Sequence, residues 1–538
     1  MKRLQIWLPL LFAIVMIVGM VIGFNLRENT MTTNFFKLPR RTPLQEVLDL
    51  VRLKYVDAIN TDTLADDAIE EMLTHLDPHS IYIPASKLQE VNEDLQGNFE
   101  GIGVEFQIID DTVHVTSVLP EGPSDVAGLK AGDQFLRVGD SLVAGNQISP
   151  DRIKRLLKGP GTSQVKLAML RNHREQLFTV KRGTIPLPSL DAAYMLDSRL
   201  GYIKLNKFAE TTYEEFMQAL EKLQKNNLQQ LILDLRGNGG GILQEAVQIA
   251  DEFLNNQKLI VYTQGNKIPK ETYIAKRPGL FEKGRLVVLV DELSASASEV
   301  LAGALQDWDR ATIIGRRSFG KGLVQEQYQL SDGSALRLTV ARYYTPLGRS
   351  IQKPYTKGVE EYNKELYDRF HNGEVLKGDT SKSVHGPAFK TEGGHVVYGG
   401  GGITPDVFVG LDSSVFVSDI SDAYPDARLN IFLYRYFLDH KQELSNYKSP
   451  ADFNRQFRPE NLWEPLVSFA KKDEVDITEI TAGYKPIFLQ RLKANLARQM
   501  WRSEGFFEVW NSTDPVVKRA EAEMKKDLTT LQPSGTTK

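Results

Sequence analysis

The chain of 538 residues reads as an α/β protein. A larger core of alternating strands and helices is interrupted by a small strand-rich module and flanked by helical regions. Three observations predict this. From 183 to about 408, apolar strands alternate with amphipathic helical segments, as a mostly parallel, buried sheet requires. Between 97 and 183, short period-two strands crowd together with two short helices. From 44 to 96, and again beyond 411, apolar residues recur at helical spacing.

Composition narrows the function classes. Hydrophobic residues make up 41% of the chain, enough to bury the cores of several domains. Lys and Arg total 65 against 69 Asp and Glu, a net charge of −4, which does not suit a broad nucleic-acid footprint. There is no cysteine, so disulfides, thiolate zinc sites, iron–sulfur clusters and a cysteine nucleophile are excluded.

After Lys2 and Arg3, Leu4 to Leu26 carries no charge. At ~1.5 Å per helical residue, such a run can cross a bilayer core of ~30 Å. The two cations hold its start in the cytoplasm and direct the rest outside. Gly19-Met20-Val21-Ile22-Gly23 offers no Ala-x-Ala cleavage site, so residues 1–30 read as an uncleaved signal anchor, with a cleaved signal peptide as the alternative. The expected setting is periplasmic, with residues 4–26 in the inner membrane. Residues 31–43 follow as a polar linker. Val47, Leu50, Val51 and Tyr55, then Leu64, Ile69, Met72, Leu73 and Leu76, give 44–96 its helical pattern, and Asp77-Pro78 stops a helix.

In 97–183, residues 104–108 and 113–116 alternate as strands around Asp110-Asp111. A helix is expected at 124–129, a strand at 133–138, a helix at 149–158 and a closing hairpin at 165–171 and 176–182. This order resembles a PDZ domain. In that family a glycine-containing loop offers backbone N–H groups to a peptide's terminal carboxylate, and the matching residues here are Gly101, Ile102, Gly103 and Val104. The peptide would add as an extra strand.

The α/β region, 184–410, has a strand at 228–235, a glycine loop at 237–241 and a helix at 242–254. A strand at 285–290, a helix at 298–307 and a strand at 311–314 complete the pattern. Residues 356–395, charged and glycine-rich, read as a surface insertion. The region 411–538 reads helical at 428–444, 461–472, 487–502 and 516–531, with a disordered end.

Two glycine loops invite a phosphate reading. Gly315-Arg316-Arg317-Ser318-Phe319-Gly320-Lys321 begins like a Walker A loop, but Gly322 stands where Ser or Thr should hold magnesium, and a strand follows where a helix should. Gly237-Asn238-Gly239-Gly240-Gly241-Ile242 has Ile where a dinucleotide loop needs its third glycine. Acyl transfer fits better. Ser294-Ala295-Ser296-Ala297-Ser298-Glu299 lies between a strand and a helix, where a hydroxyl is exposed and helix N–H groups are unpaired. In isolation this run reads more readily as a set of helix-capping serines, with Ser298 or Ser296 as cap and Glu299 in the first turn. A nucleophile also needs a base, and Lys321, among Phe319, Leu323 and Val324, is better placed than any of the eight histidines. Burial would have to lower its pKa by ~3 units for it to accept a proton near neutrality.

Asp234-Leu235-Arg236-Gly237-Asn238-Gly239-Gly240-Gly241, the serine run, and Ser318-Phe319-Gly320-Lys321-Gly322-Leu323-Val324-Gln325 follow one another in order. Together they resemble the signature blocks of the carboxyl-terminal processing, or tail-specific, proteases. Leu76-Asp77-Pro78-His79-Ser80 and Gly400-Gly401-Gly402-Ile403-Thr404-Pro405-Asp406 resemble two further blocks, and the likeness spans about 44 to 410. The resemblance implies a ClpP/crotonase-like core carrying the PDZ domain as an insertion. It implies Ser296 as nucleophile, Lys321 as general base and Gln325 holding the lysine. The oxyanion hole would come from Gly239 or Gly240 with Ala297. It further implies no metal, nucleotide or other cofactor, and protein substrates with apolar C-termini. A PDZ adaptor on an inactive protease scaffold and a hydrolase of small acyl substrates are the alternatives. The helices offer surfaces for a homo-oligomer, though such helices more often pack on their own domain.

Overall fold

The computed structural model describes residues 7, 11–22, 42–255, 257–378, 386–412, 424–478 and 484–526. The chain divides into two compact units, Met1–Ile69 and Glu70–Lys538.

In the first unit, residues 11–22 are helical, while 4–6, 8–10 and 23–26 of the expected anchor lie outside the described residues. No helix among the described residues is long and apolar enough to cross a membrane. The helix Pro43–Lys54 begins with proline in its first turn, where the missing N–H costs nothing, and buries none of its residues.

The second unit is built on a six-stranded sheet. Its strands run in the order Leu190–Met195, Leu200–Leu205, Gln230–Asp234, Arg285–Val290, Thr312–Gly315 and Val407–Phe408. The first pair is antiparallel and every later neighbour is parallel. Alternate residues face opposite sides. Ile203, Leu231, Leu233, Val288 and Ile313 pack with Phe216, Leu220, Ile249 and Leu301 of the helices Thr212–Lys225, Leu243–Asp251 and Ala297–Asp307. Tyr202, Ile232, Val287, Leu289 and Ile314 pack instead with Val516, Val517, Ala520 and Met524 of the helix Pro515–Met524. The helix Pro515–Met524 therefore covers the second face of this sheet.

A second, antiparallel sheet joins Ile81–Ile83, Ala335–Tyr344, Leu259–Gln264 and Glu271–Ile274, with Leu323–Gln329 paired to Ala335–Tyr344. The strand Ile81–Ile83 falls in the region read as helical. Three apolar residues are too few to show a period, and its pairing with residues more than two hundred positions away is invisible locally.

The strand-rich module stands on a two-stranded stem, Asn98–Gly101 against Gly183–Pro186. Its six-stranded antiparallel sheet holds Val104–Ile109, Thr112–Val118, Gln134–Val138, Ser141–Leu142, Gln164–Arg171 and Arg174–Lys181 around a core that includes Val113, Phe135, Ile153 and Met169. Asp110 and Asp111 form the first hairpin turn with φ of 48° and 55°, the two positive values a two-residue turn of that hand needs.

Most described residues of the segment 356–395, expected as a surface insertion, are exposed or half-buried. Its helix Val359–His371 nevertheless buries Tyr362 and Arg369, and the Arg369 guanidinium donates to the carbonyls of Ser318, at 3.0 Å, and Arg317. Buried Arg317 gathers Glu365 and Glu374 of the same segment into ion pairs. His385 of that segment lies outside the described residues. The helices beyond 424 form their own core around Leu433, Phe453, Leu466 and Leu496. The last long helix, Lys485–Trp510, is broken at Trp501 and Arg502, where the backbone leaves helical geometry.

Candidate active site

The three serines around the start of the helix Ala297–Asp307 have different fates. Ser294 Oγ is buried and donates to Leu235 O at 2.8 Å, and Ser298 Oγ is fully buried and donates to Asn238 O at 2.9 Å. Ser296 alone is half-exposed: its Oγ faces the Glu299 N–H as the helix cap and donates its own proton to no acceptor among the described residues. Its backbone sits at φ 55°, ψ −115°, a strained conformation for a residue with a side chain, at the N-cap of Ala297–Asp307.

Opposite this turn lies the glycine loop. Asn238, fully buried, donates from Nδ2 to Leu205 O and accepts Ala295 N–H on its own carbonyl at 3.0 Å. A Cβ at Gly240 would stand 2.7 Å from Ser296 Cβ and 2.9 Å from Ala297 N, so only glycine admits this approach. The N–H groups of Gly239 and Ala297 have no acceptor among the described residues. Gly240 departs from expectation: its N–H is committed to Asn238 Oδ1 at 2.9 Å, and one proton cannot also serve an incoming oxyanion.

Lys321 is largely buried, and its Nζ has no hydrogen bond or ion pair among the described residues. Burial, and then the charge of Arg337, push its pKa down, against the pull of Glu299 and Asp77. Gln325 does not hold Lys321 here. A bulge between Val324 and Gln325 turns the side chain, and its Nε2 donates to Thr339 Oγ1 at 3.4 Å. Thr339 Oγ1 donates onward to Asp77 Oδ1 at 2.9 Å, which also accepts the N–H groups of His79 and Ser80 at 2.8 and 2.9 Å. His79 Nε2 meets Tyr362 Oη at 2.8 Å, and burial, followed by the charge of Lys321, pushes its pKa down to about 4. A histidine so hard to protonate is a neutral wall beside the lysine.

Comparisons with known proteins decide the family. A model described as peptidase family S41 matches residues 199–361, and a PDZ domain model matches 101–181. A carboxy-terminal-processing protease of Bartonella bacilliformis is 34% identical over 347 residues, 63% of this chain and 79% of the relative. The chain belongs to peptidase family S41. The carboxy-terminal processing protease CtpB of Bacillus subtilis is 32% identical over 323 residues, 59% of this chain and 66% of that protein. Among solved structures, the photosystem II D1 C-terminal processing protease matches at 28% identity and a TM-score of 0.35, covering 68% of this chain and 86% of that one. Residues 424–502 match a family of unknown function. The chain is thus a serine protease of the C-terminal processing family with a PDZ domain.

In this S41 peptidase, Gly101, Ile102, Gly103 and Val104 line a cavity of about 680 Å³ together with Phe99, Phe106 and Leu157. Its far side is formed by the helix Ala85–Gln96 and by Arg337. The N–H groups of Ile102 and Gly103 have no acceptor among the described residues. Gly103 has φ +73°, and a Cβ there would come within 3.0 Å of Ile185 Cδ1. Sequence reasoning missed Glu299, Tyr343, Thr339 and Arg337. Of these only Glu299 lay inside a recognised block, where it read as a helix-capping acid.

Proposed function

We propose that the chain is an endopeptidase that cleaves exported proteins near their C-termini, with Ser296 as nucleophile and Lys321 as general base on a ClpP/crotonase-like core. The single observation that carries this reading is the sorting of the serines. Ser294 and Ser298 spend their hydroxyls on buried carbonyls, while Ser296 keeps its Oγ free on a strained turn at a helix start. A neutral Lys321 takes the Ser296 proton as the hydroxyl attacks the scissile carbonyl. The oxyanion is met by the free N–H groups of Gly239 and Ala297, each such donor typically contributing about 3 kcal/mol. Lys321 then protonates the leaving amine, and water releases the acyl group. Gln325 acts at one remove, through Thr339 and Asp77.

The carboxylate of an apolar substrate tail would sit on the N–H groups of Ile102 and Gly103, with the tail added beside Val104–Ile109. The uncharged run from Leu4 to Leu26 supports export, with the chain held at the membrane. The adaptor reading is not favoured, because an inactive scaffold has no use for a free serine on a strained turn. The test is digestion of an unstructured protein with an apolar C-terminus, as the free acid and as the C-terminal amide. Faster cleavage of the acid, abolished by Ser296→Ala, is expected. Equal cleavage of both forms would remove the PDZ role, and activity surviving in Ser296→Ala would remove the nucleophile.

A further inference from the structure

Resting on the reading of Ser296 and Lys321 as nucleophile and base, we propose that Glu299 is the positioning residue that sets one against the other. A single carboxylate ties the turn carrying the serine to the turn carrying the lysine. Glu299 is 1% exposed and has no Lys or Arg ion-pair partner among the described residues. Its four donors come from two separate stretches of chain. Oε2 accepts Ser296 N–H at 2.9 Å and Lys321 N–H at 2.8 Å, and Oε1 accepts Gly320 N–H at 2.7 Å and the Ser318 hydroxyl. A capping acid needs only the first of these.

The carbonyl side is joined as well. The buried Tyr343 hydroxyl donates to Ser296 O at 3.0 Å and lies against Lys321 O. The reactive side chains do not hold themselves in register, since Ser296 Oγ and Lys321 Nζ are not hydrogen-bonded to each other. Their relative placement is therefore set through the backbone, and Glu299 is the group that reaches both N–H groups.

A carboxylate suits this task and an amide does not. Glutamine has one acceptor oxygen, and its NH₂ group would face donors it cannot satisfy, so the join between the Ser296 and Lys321 N–H groups would be lost even though Phe319 N–H still bonds Ser294 O at 2.9 Å. A displacement on the order of 1 Å at a reacting pair costs about 100-fold in rate.

Steady-state cleavage of an unstructured protein with an apolar C-terminus tests the proposal in the full chain, with binding of a fluorescent peptide of the same C-terminus as a fold control. Glu299→Gln is expected to lower kcat about 100-fold, with KM and peptide affinity within about twofold of wild type. Glu299→Asp, which keeps the carboxylate on a shorter arm, is expected to recover about tenfold of that loss. Unchanged kcat in Glu299→Gln, or equal loss in both variants, overturns the proposal. Should Glu299→Gln fail to fold, Ser318→Ala removes one donor to Oε1 and is expected to lower kcat about tenfold, and an unchanged kcat there overturns it equally. Ser296→Ala runs alongside. If it stays active the nucleophile reading fails, whereas its inactivity beside a fully active Glu299→Gln defeats the positioning role alone.

Discussion

Arg337 is the charge that bears most on Lys321. After burial it is the largest influence pushing the lysine's pKa down, and the same side chain lines the cavity that holds the PDZ loop. No carboxylate pairs with Arg337 among the described residues, and its Nη2 donates only to Gln327 Oε1, at 3.0 Å. An unpaired, half-buried guanidinium is costly to hold, and its position disfavours the charged form of Lys321.

Arg337→Gln therefore raises the pKa of Lys321 relative to wild type. Because the proposed mechanism uses the neutral lysine, the rising limb of kcat/KM against pH is expected to move to higher pH, with a lower rate near neutrality. A pH–rate profile of the two proteins checks this. Coincident limbs would show that Arg337 has no hold on the base.

The flanking serines separate stability from chemistry. Ser298→Ala leaves the buried Asn238 carbonyl without its hydroxyl donor and is expected to cost about 1–2 kcal/mol while lowering activity less than about tenfold. Ser296→Ala removes the N-cap hydroxyl of Ala297–Asp307 and is expected to cost a similar ~1 kcal/mol, but with activity down on the order of 10⁴-fold. Denaturant titration beside a cleavage assay distinguishes the two.

Glu299 makes stability depend on pH. Burial raises its pKa from 4.5 to about 7, against the four hydrogen bonds that favour the ionised form. The folded chain thus holds this proton more tightly than the unfolded chain. The stability it contributes is complete below about pH 4.5 and is lost as pH rises through about 7. Between about pH 5 and about pH 8, wild type should lose on the order of 3 kcal/mol relative to Glu299→Gln, which does not titrate there. Parallel pH dependences of the two midpoints would contradict this.

The last helix belongs to the catalytic domain. Asp514 caps Pro515–Met524 and pairs with Arg236, which also grips buried Asp234 immediately before the glycine loop. Removing residues 511–538 would uncover Tyr202, Ile232, Leu289 and Ile314 on one sheet face. Soluble expression and protease resistance of that truncation should both be lost, whereas a soluble, active truncation would contradict this role.

The serine turn, the glycine loop and the lysine turn were legible because each is a local event, a strand ending in a turn or a helix start with its own residue signature. The PDZ module was legible for the same reason, since its hairpins join neighbouring segments. What joins these turns was not. Glu299 reaches residues about twenty positions away, Tyr343 arrives through the pairing of Leu323–Gln329 with Ala335–Tyr344, and Asp77 meets Thr339 only because Ile81–Ile83 adds to that sheet. Sheet register between distant segments has no local signal. The amide of Gln325 beside Thr339 is another such detail, set next to a register shift in the pairing of Leu323–Gln329 with Ala335–Tyr344.

The measurement that bears most directly on this account is the cleavage rate of an unstructured protein with an apolar C-terminus, followed against pH with wild type, Ser296→Ala and Lys321→Ala. The account predicts cleavage by wild type alone, with a rising limb near neutrality that is absent from the lysine variant. A Lys321→Ala enzyme that kept the wild-type rate and the same limb would contradict it.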